Sequence, residues 1–305
     1  MAGRQVESNA EALAQRLLAR LLIADGPHRR YTGGEPTMLG SVTVDDIERW
    51  RKNILVRSGL LIVGAGPMDP GAAAREIDRL FANLPPGEEP SAPPPPVLRA
   101  PGKLVVLERP VVQTVIAAGG PTSGAVTPDF ARLQLAVAAL GGGTSARLWC
   151  AVRDKLGATY SIRASLQAID LNTRTLFVRT AVANDKAKDA LAAIRAEYGG
   201  FLANGVTDAE LEALKAGFVQ SHRERLRRAS TLAADLIVPA LRDFPDDYLA
   251  GYEQRLRGYS RAAIEADMRV QLPKPPLTTV VIAPSAEGFA AHCVIQSPAD
   301  LARCD

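Results

Sequence analysis

Arg153 and Tyr160, seven residues apart, are the side chains whose types and spacing suggest chemistry. They follow the stretch Gly141-Gly142-Gly143-Thr144-Ser145-Ala146-Arg147-Leu148 and close the next one, Arg153-Asp154-Lys155-Leu156-Gly157-Ala158-Thr159-Tyr160. A guanidinium offers N–H donors in a fixed fork. A phenol hydroxyl can donate to an oxygen as that oxygen gains charge. The glycines would let backbone approach a ligand closely. They are not a phosphate loop, because no Lys-Ser or Lys-Thr pair follows them. On residue type alone, an exposed helix arginine and a core tyrosine remain the plainer account of the pair. Groups for metal chemistry are sparse. The histidines are His28, His222 and His292. A hydrolytic zinc helix needs two His on one face with a Glu between them, so that metal and base meet one water. His222-Arg223-Glu224 has the Glu and lacks the second His. No catalytic, metal-binding or cofactor-binding residue is therefore expected in this chain.

The elements that must position the pair follow from pattern. The spacing predicts a helix over 145–156, stopped at Gly157, with Arg153 near its end and Tyr160 at the start of the next strand. Residues 159–168 and 173–182 alternate and are rich in β-branched side chains, which predicts a hairpin turning at 170–172. Strands are expected over 103–108 and 113–118. Thr127-Pro128 opens a helix running to Leu140, which the glycines end. A helix is expected over 185–203. Thr207-Asp208-Ala209-Glu210 forms a capping box that starts a helical stretch reaching about Leu241. Leu13, Leu17, Leu18, Leu21 and Leu22 share one face of an N-terminal amphipathic helix. These elements make an α+β fold, an antiparallel or mixed β-sheet packed against a layer of helices.

Totals exclude several function classes. A net charge of +3 over 305 residues is too small to argue for nucleic acid or an anionic membrane. No apolar window is long enough to span a bilayer. Arg16 and Arg20 interrupt the apolar run 12–24, so it does not read as a secretory core. The cysteines, Cys150, Cys293 and Cys304, match no zinc or redox spacing. Cys150 reads as a core residue. Cys293 and Cys304 could pair if the compartment is oxidising, which the sequence alone does not decide; such pairing weakly fits the periplasm, while the run just described offers no export signal, so periplasm and cytoplasm both stay open, with the periplasm slightly favoured.

An internal repeat organises the chain. Thr43 to Glu48 matches Ser260 to Glu265, Leu55 matches Leu272, Leu60 matches Leu277, Val63 matches Val280 and Pro67 matches Pro284, all in one ungapped register. Both copies read as a capped helix, a turn and a buried strand, 60–63 in the first and 278–282 in the second. The dense prolines of 85–101 read as an interdomain linker. The expected division is therefore 1–84, the end of a first α+β domain; 85–101, linker; and 102–305, a complete second α+β domain. The register also implies that about a hundred residues of the first unit lie outside this chain, giving one complete repeat after a truncated one.

The glycine stretch with Arg153-Asp154-Lys155-Leu156-Gly157 and Tyr160 resembles the C-terminal domain signature of the pitrilysin and mitochondrial-processing-peptidase superfamily of zinc metallopeptidases. Gly205 to Leu211 with Lys215 resembles the same family. So does Leu61-Ile62-Val63-Gly64 followed by Ile77 to Phe81 and Leu84-Pro85. The resemblance implies tandem α+β domains of similar fold. It implies that Arg153 and Tyr160 hold a peptide substrate, while zinc sits on a His-x-x-Glu-His helix in the missing N-terminal region or in a partner subunit. Partners implied are a zinc-bearing homologous half or subunit, in a homo- or heterodimer, and a peptide. This chain alone is expected to be inactive. Three readings stay open: the C-terminal portion of a complete enzyme, a non-catalytic subunit completing a composite site, and a structural or assembly protein that kept the fold and lost peptidase activity.

Overall fold

A computed structural model describes residues 9–30, 33–34, 36–124 and 127–304. Contacts divide the chain into two compact units. One contains residues 1–35, 94–215 and 256–305; the other contains 36–93 and 216–255. The boundaries expected at 84 and 101 do not coincide with these units.

The first unit is built on a six-stranded mixed sheet. Its strands are β3 (Leu104–Glu108), β4 (Thr114–Pro121), β5 (Thr159–Ala168), β6 (Arg174–Val182), β7 (Thr278–Ala283) and β8 (Cys293–Ile295), in the order β5-β6-β4-β7-β3-β8. β7 lies parallel to β3 and antiparallel to β4. β5 and β6 form the expected antiparallel hairpin, with Asp170 accepting from the N–H groups of Asn172 and Thr173 in the turn. Every residue of β7 is buried, which fits a central strand covered on both faces.

Helix α1 (Ala10–Leu22) covers one face. Its five leucines are at most 3% exposed and pack on Val105, Leu107, Val115, Ala117, Val280 and Ile282. Burying each contributes about 2 kcal/mol. The helix assigned from the sequence to the first domain thus belongs to the core of this sheet. Chain leaving it forms β1 (Ile23–Asp25), which pairs with β2 (Val97–Leu98) from within the expected linker. The other face carries α4 (Ala131–Gly141), packed on β5, together with α5 (Ala187–Asn204) and α9 (Arg261–Gln271). A disulfide joins Cys293 to Cys304 and fastens the C-terminus beside α1. β8 had no counterpart in the sequence reading, because three residues carry too little periodicity.

The second unit contains α2 (Val44–Ile54) and α3 (Pro70–Phe81), neither of which buries a residue. α6 (Asp208–Leu226) begins in the first unit and ends in the second, where α7 (Ala229–Leu241) follows. The continuous stretch expected to Leu241 is therefore broken at 227–228. The helix expected from Pro128 starts at Ala131. The strand expected over 60–63 does not form: Leu60, Leu61 and Ile62 are exposed in irregular chain. A central strand exists only where neighbours receive its N–H and C=O groups. Its repeat partner β7 has β3 and β4; residues 60–63 have no such neighbours among the described residues. Yet the repeat helices agree fully. Thr43 caps α2 through a reciprocal capping box with Asp46, and Ser260 caps α9 through the Ala263 N–H.

Candidate functional site

The segment carrying Arg153 is not an ordinary helix. Trp149–Lys155 form a π-helix, a widened turn that often marks functional positions. Gly157 ends it in the left-handed region, φ 56°, and Lys186 Nζ donates to the Leu156 carbonyl at 3.0 Å. Two residues on, the β5–β6 register slips between Thr159 and Ile162, so that one extra residue stands in β5. Tyr160 sits in this bulge, a device that re-aims a side chain. Threonines fix it: the Thr159 hydroxyl donates to the Ala181 carbonyl at 2.6 Å, and the Thr180 hydroxyl donates to the Ser161 carbonyl at 2.9 Å.

These two irregularities bring the pair together. The Arg153 guanidinium lies 5.8 Å from the Tyr160 ring centroid. Tyr160 is 85% exposed and the Arg153 side chain 39%. Tyr160 is thus not a core aromatic. A third residue, missed in the sequence reading, completes the group: the Trp149 ring lies 4.6 Å from the guanidinium. Its spacing of four from Arg153 on one helix was the available signal. Asp154 forms an ion pair with Arg153 at 3.6 Å, beyond hydrogen-bond distance.

Arg147, in the same glycine-led stretch, has a structural task. It grips Glu210 through two bonds of 2.7 and 2.8 Å. Glu210 also completes the Thr207 capping box at the start of α6. The Arg147 guanidinium holds the Glu210 carboxyl down at about 2, against the cost of burial. Gly141 packs so closely on β5 that a Cβ there would stand 2.4 Å from the Ala164 nitrogen.

The histidines lie apart in function. His222 is buried, packed at a tilt of 42° against the Tyr252 ring, with Nε2 3.1 Å from the Leu249 carbonyl. His292 Nδ1 accepts from the Leu104 N–H at 3.0 Å. His28 lies in a short 3-10 turn. Among the described residues no three His, Cys, Asp or Glu gather to hold a metal. No helix among the described residues is long and apolar enough to cross a membrane.

The family of the peptidase M16 inactive domain matches residues 41–218, more than half of the chain. The chain belongs to this family. The pitrilysin-type resemblance drawn from the motifs is therefore the right one. An uncharacterized zinc protease of Streptomyces coelicolor is 28% identical over 154 residues, a match covering 48% of this chain. The chain spans about a third of that relative's length, 33%. A peptidase M16 inactive domain from Pseudomonas fluorescens has a similar structure, with a TM-score of 0.85 at 19% identity, over 97% of this chain and 69% of that one. A chain of Complex III2 from Candida albicans, bound to Inz-5, aligns with a TM-score of 0.79 at 15% identity, over 95% and 70%. At these identities the structural likenesses show the fold alone.

Proposed function

We propose that this M16 inactive domain is the substrate-holding, non-zinc half of a pitrilysin-type zinc metallopeptidase that hydrolyses peptides or unfolded polypeptides. The observation carrying the proposal is the Trp149–Arg153–Tyr160 group, half-buried at Trp149 and Arg153 and exposed at Tyr160, presented by a π-helix and a β-bulge. Arg153 holds substrate carbonyls with its fork of donors. Tyr160 offers its hydroxyl beside the bond to be cut, where charge develops on the carbonyl oxygen. The zinc and its general base belong to a homologous half, whether on a longer polypeptide or on a partner subunit.

Unit two supports such a partner. Ile47 is 56% exposed, whereas its repeat counterpart Ile264 is fully buried. Val44, Trp50 and Leu80 are exposed as well. Exposed apolar side chains of this kind favour a cover, and the repeat indicates its type: strands flanking 60–63 as β3 and β4 flank β7. A zinc-bearing half of the same fold supplies them.

The test is turnover of an unfolded peptide by the assembled peptidase containing this chain. Arg153→Ala or Tyr160→Phe is expected to cut kcat/KM about 100-fold, as for loss of a transition-state donor, with assembly by light scattering intact. Unchanged turnover would instead favour a second reading, a structural subunit that kept the fold without peptidolysis.

A further inference from the structure

Several arginines of this chain have an anionic partner. Arg147 grips Glu210, Arg223 grips Glu253, Arg132 meets Asp267 and Arg261 meets Glu265. The hairpin β5–β6 departs from that pattern. Its two strands carry Arg163, Arg174 and Arg179 and not one Asp or Glu; the single acid of the hairpin, Asp170, is held in the turn by the Asn172 and Thr173 N–H groups. Arg174 rests over the Phe130 ring. Arg163 and Arg179 stand directly opposite each other across the strands, both exposed. Like charges so placed repel one another. Arg163 makes one long hydrogen bond, Nη1 to the Gly142 carbonyl at 3.4 Å, and neither guanidinium meets a carboxylate among the described residues.

The pair begins three residues along the same strand from Tyr160. Ile162 and Ala164 point into the core, while Tyr160, Ser161, Arg163 and Ser165 are exposed. β5 is an outer strand of the sheet. At about 3.3 Å per residue, an extended polypeptide held by Arg153 and Tyr160 reaches Arg163 within roughly three residues.

We infer that Arg163 and Arg179 form a carboxylate-selective subsite, which favours substrates bearing an Asp or Glu about three residues from the segment held at Tyr160. A carboxylate placed between them relieves their repulsion and accepts bonds from both forks. The inference rests on the proposed substrate-holding role of Arg153 and Tyr160 for its geometry, and its test separates the two.

The experiment uses the full chain and two fluorescent unfolded peptides identical except that Asp and Glu in one are Asn and Gln in the other. Anisotropy titrations at low salt are expected to give about fivefold to tenfold tighter binding of the acidic peptide, the scale of two exposed ion pairs. The double variant Arg163→Gln, Arg179→Gln is expected to reduce that ratio below about twofold, as is raising salt to about 0.5 M in the wild type. A preference that persists in the double variant overturns the subsite and leaves the proposed function standing. A neutral peptide whose affinity is indifferent to Arg153→Ala overturns the proposed function and leaves the subsite. Failure of both peptides to bind overturns both.

Discussion

Glu210 illustrates how one carboxylate can close two structures at once. It caps α6 with Thr207 and anchors the glycine-led stretch through Arg147. Its folded-state pKa of about 2 lies below the ordinary 4.5, so the unfolded chain binds the proton more readily. The stabilisation is fully present above about pH 4.5 and is lost as the pH falls towards about 2. Glu210→Gln is expected to remove that component, so that urea midpoints of the variant fall less steeply across this window than those of the wild type. Parallel curves would show that the pair contributes nothing to acid stability. The capping role was legible in the sequence as Thr207-x-x-Glu210. The grip on Arg147 was not, because sixty-three positions separate the partners and only the packed fold brings them together. The same distinction holds at the candidate site. Arg153 and Tyr160 were singled out through the family resemblance of their motif, whereas Trp149 emerged from the observed contact.

Among the elements, the repeated helices α2 and α9 give the clearest comparison. Both begin at the residue their caps predict and end at matched positions, since capping and helix propensity are local properties. The strands that follow them differ, because a strand is completed by its neighbours. Close helix–strand packing is likewise a matter of contact. Gly141 sits where α4 meets β5, with the Ala164 backbone in the way of any Cβ. Gly141→Ala is expected to destabilise the chain by about 1–3 kcal/mol through overpacking, read as a lower urea midpoint. An unchanged midpoint would mean that α4 can move away from β5 freely. The sequence marked this glycine as a helix stop, and its need for closeness to β5 emerged only from the fold. Two backbone irregularities escaped the sequence reading altogether. A π-turn and a β-bulge each insert one residue into a pattern whose periodicity they barely disturb.

For the whole molecule, burial is uneven between the two units. β3, β4 and β7 lie at the heart of a covered sheet, while α2 and α3 bury nothing. Amides of α2 and α3 in the isolated chain are expected to exchange at least about 100-fold faster than those of the central strands, as low local burial implies. Hydrogen exchange followed by mass spectrometry checks this; equal protection would overturn it and would also weaken the case for a covering half. The sequence by itself determined the family, through its motifs, and the hairpin and the capped helices α2, α6 and α9. These depend on residue type, caps and periodicity, which act over a few residues. Tertiary structure alone decided that α1 belongs to the six-stranded sheet, that residues 60–63 form no strand and that Arg163 faces Arg179. Each of those depends on which surfaces meet, and a local pattern names a surface to be buried without naming what buries it.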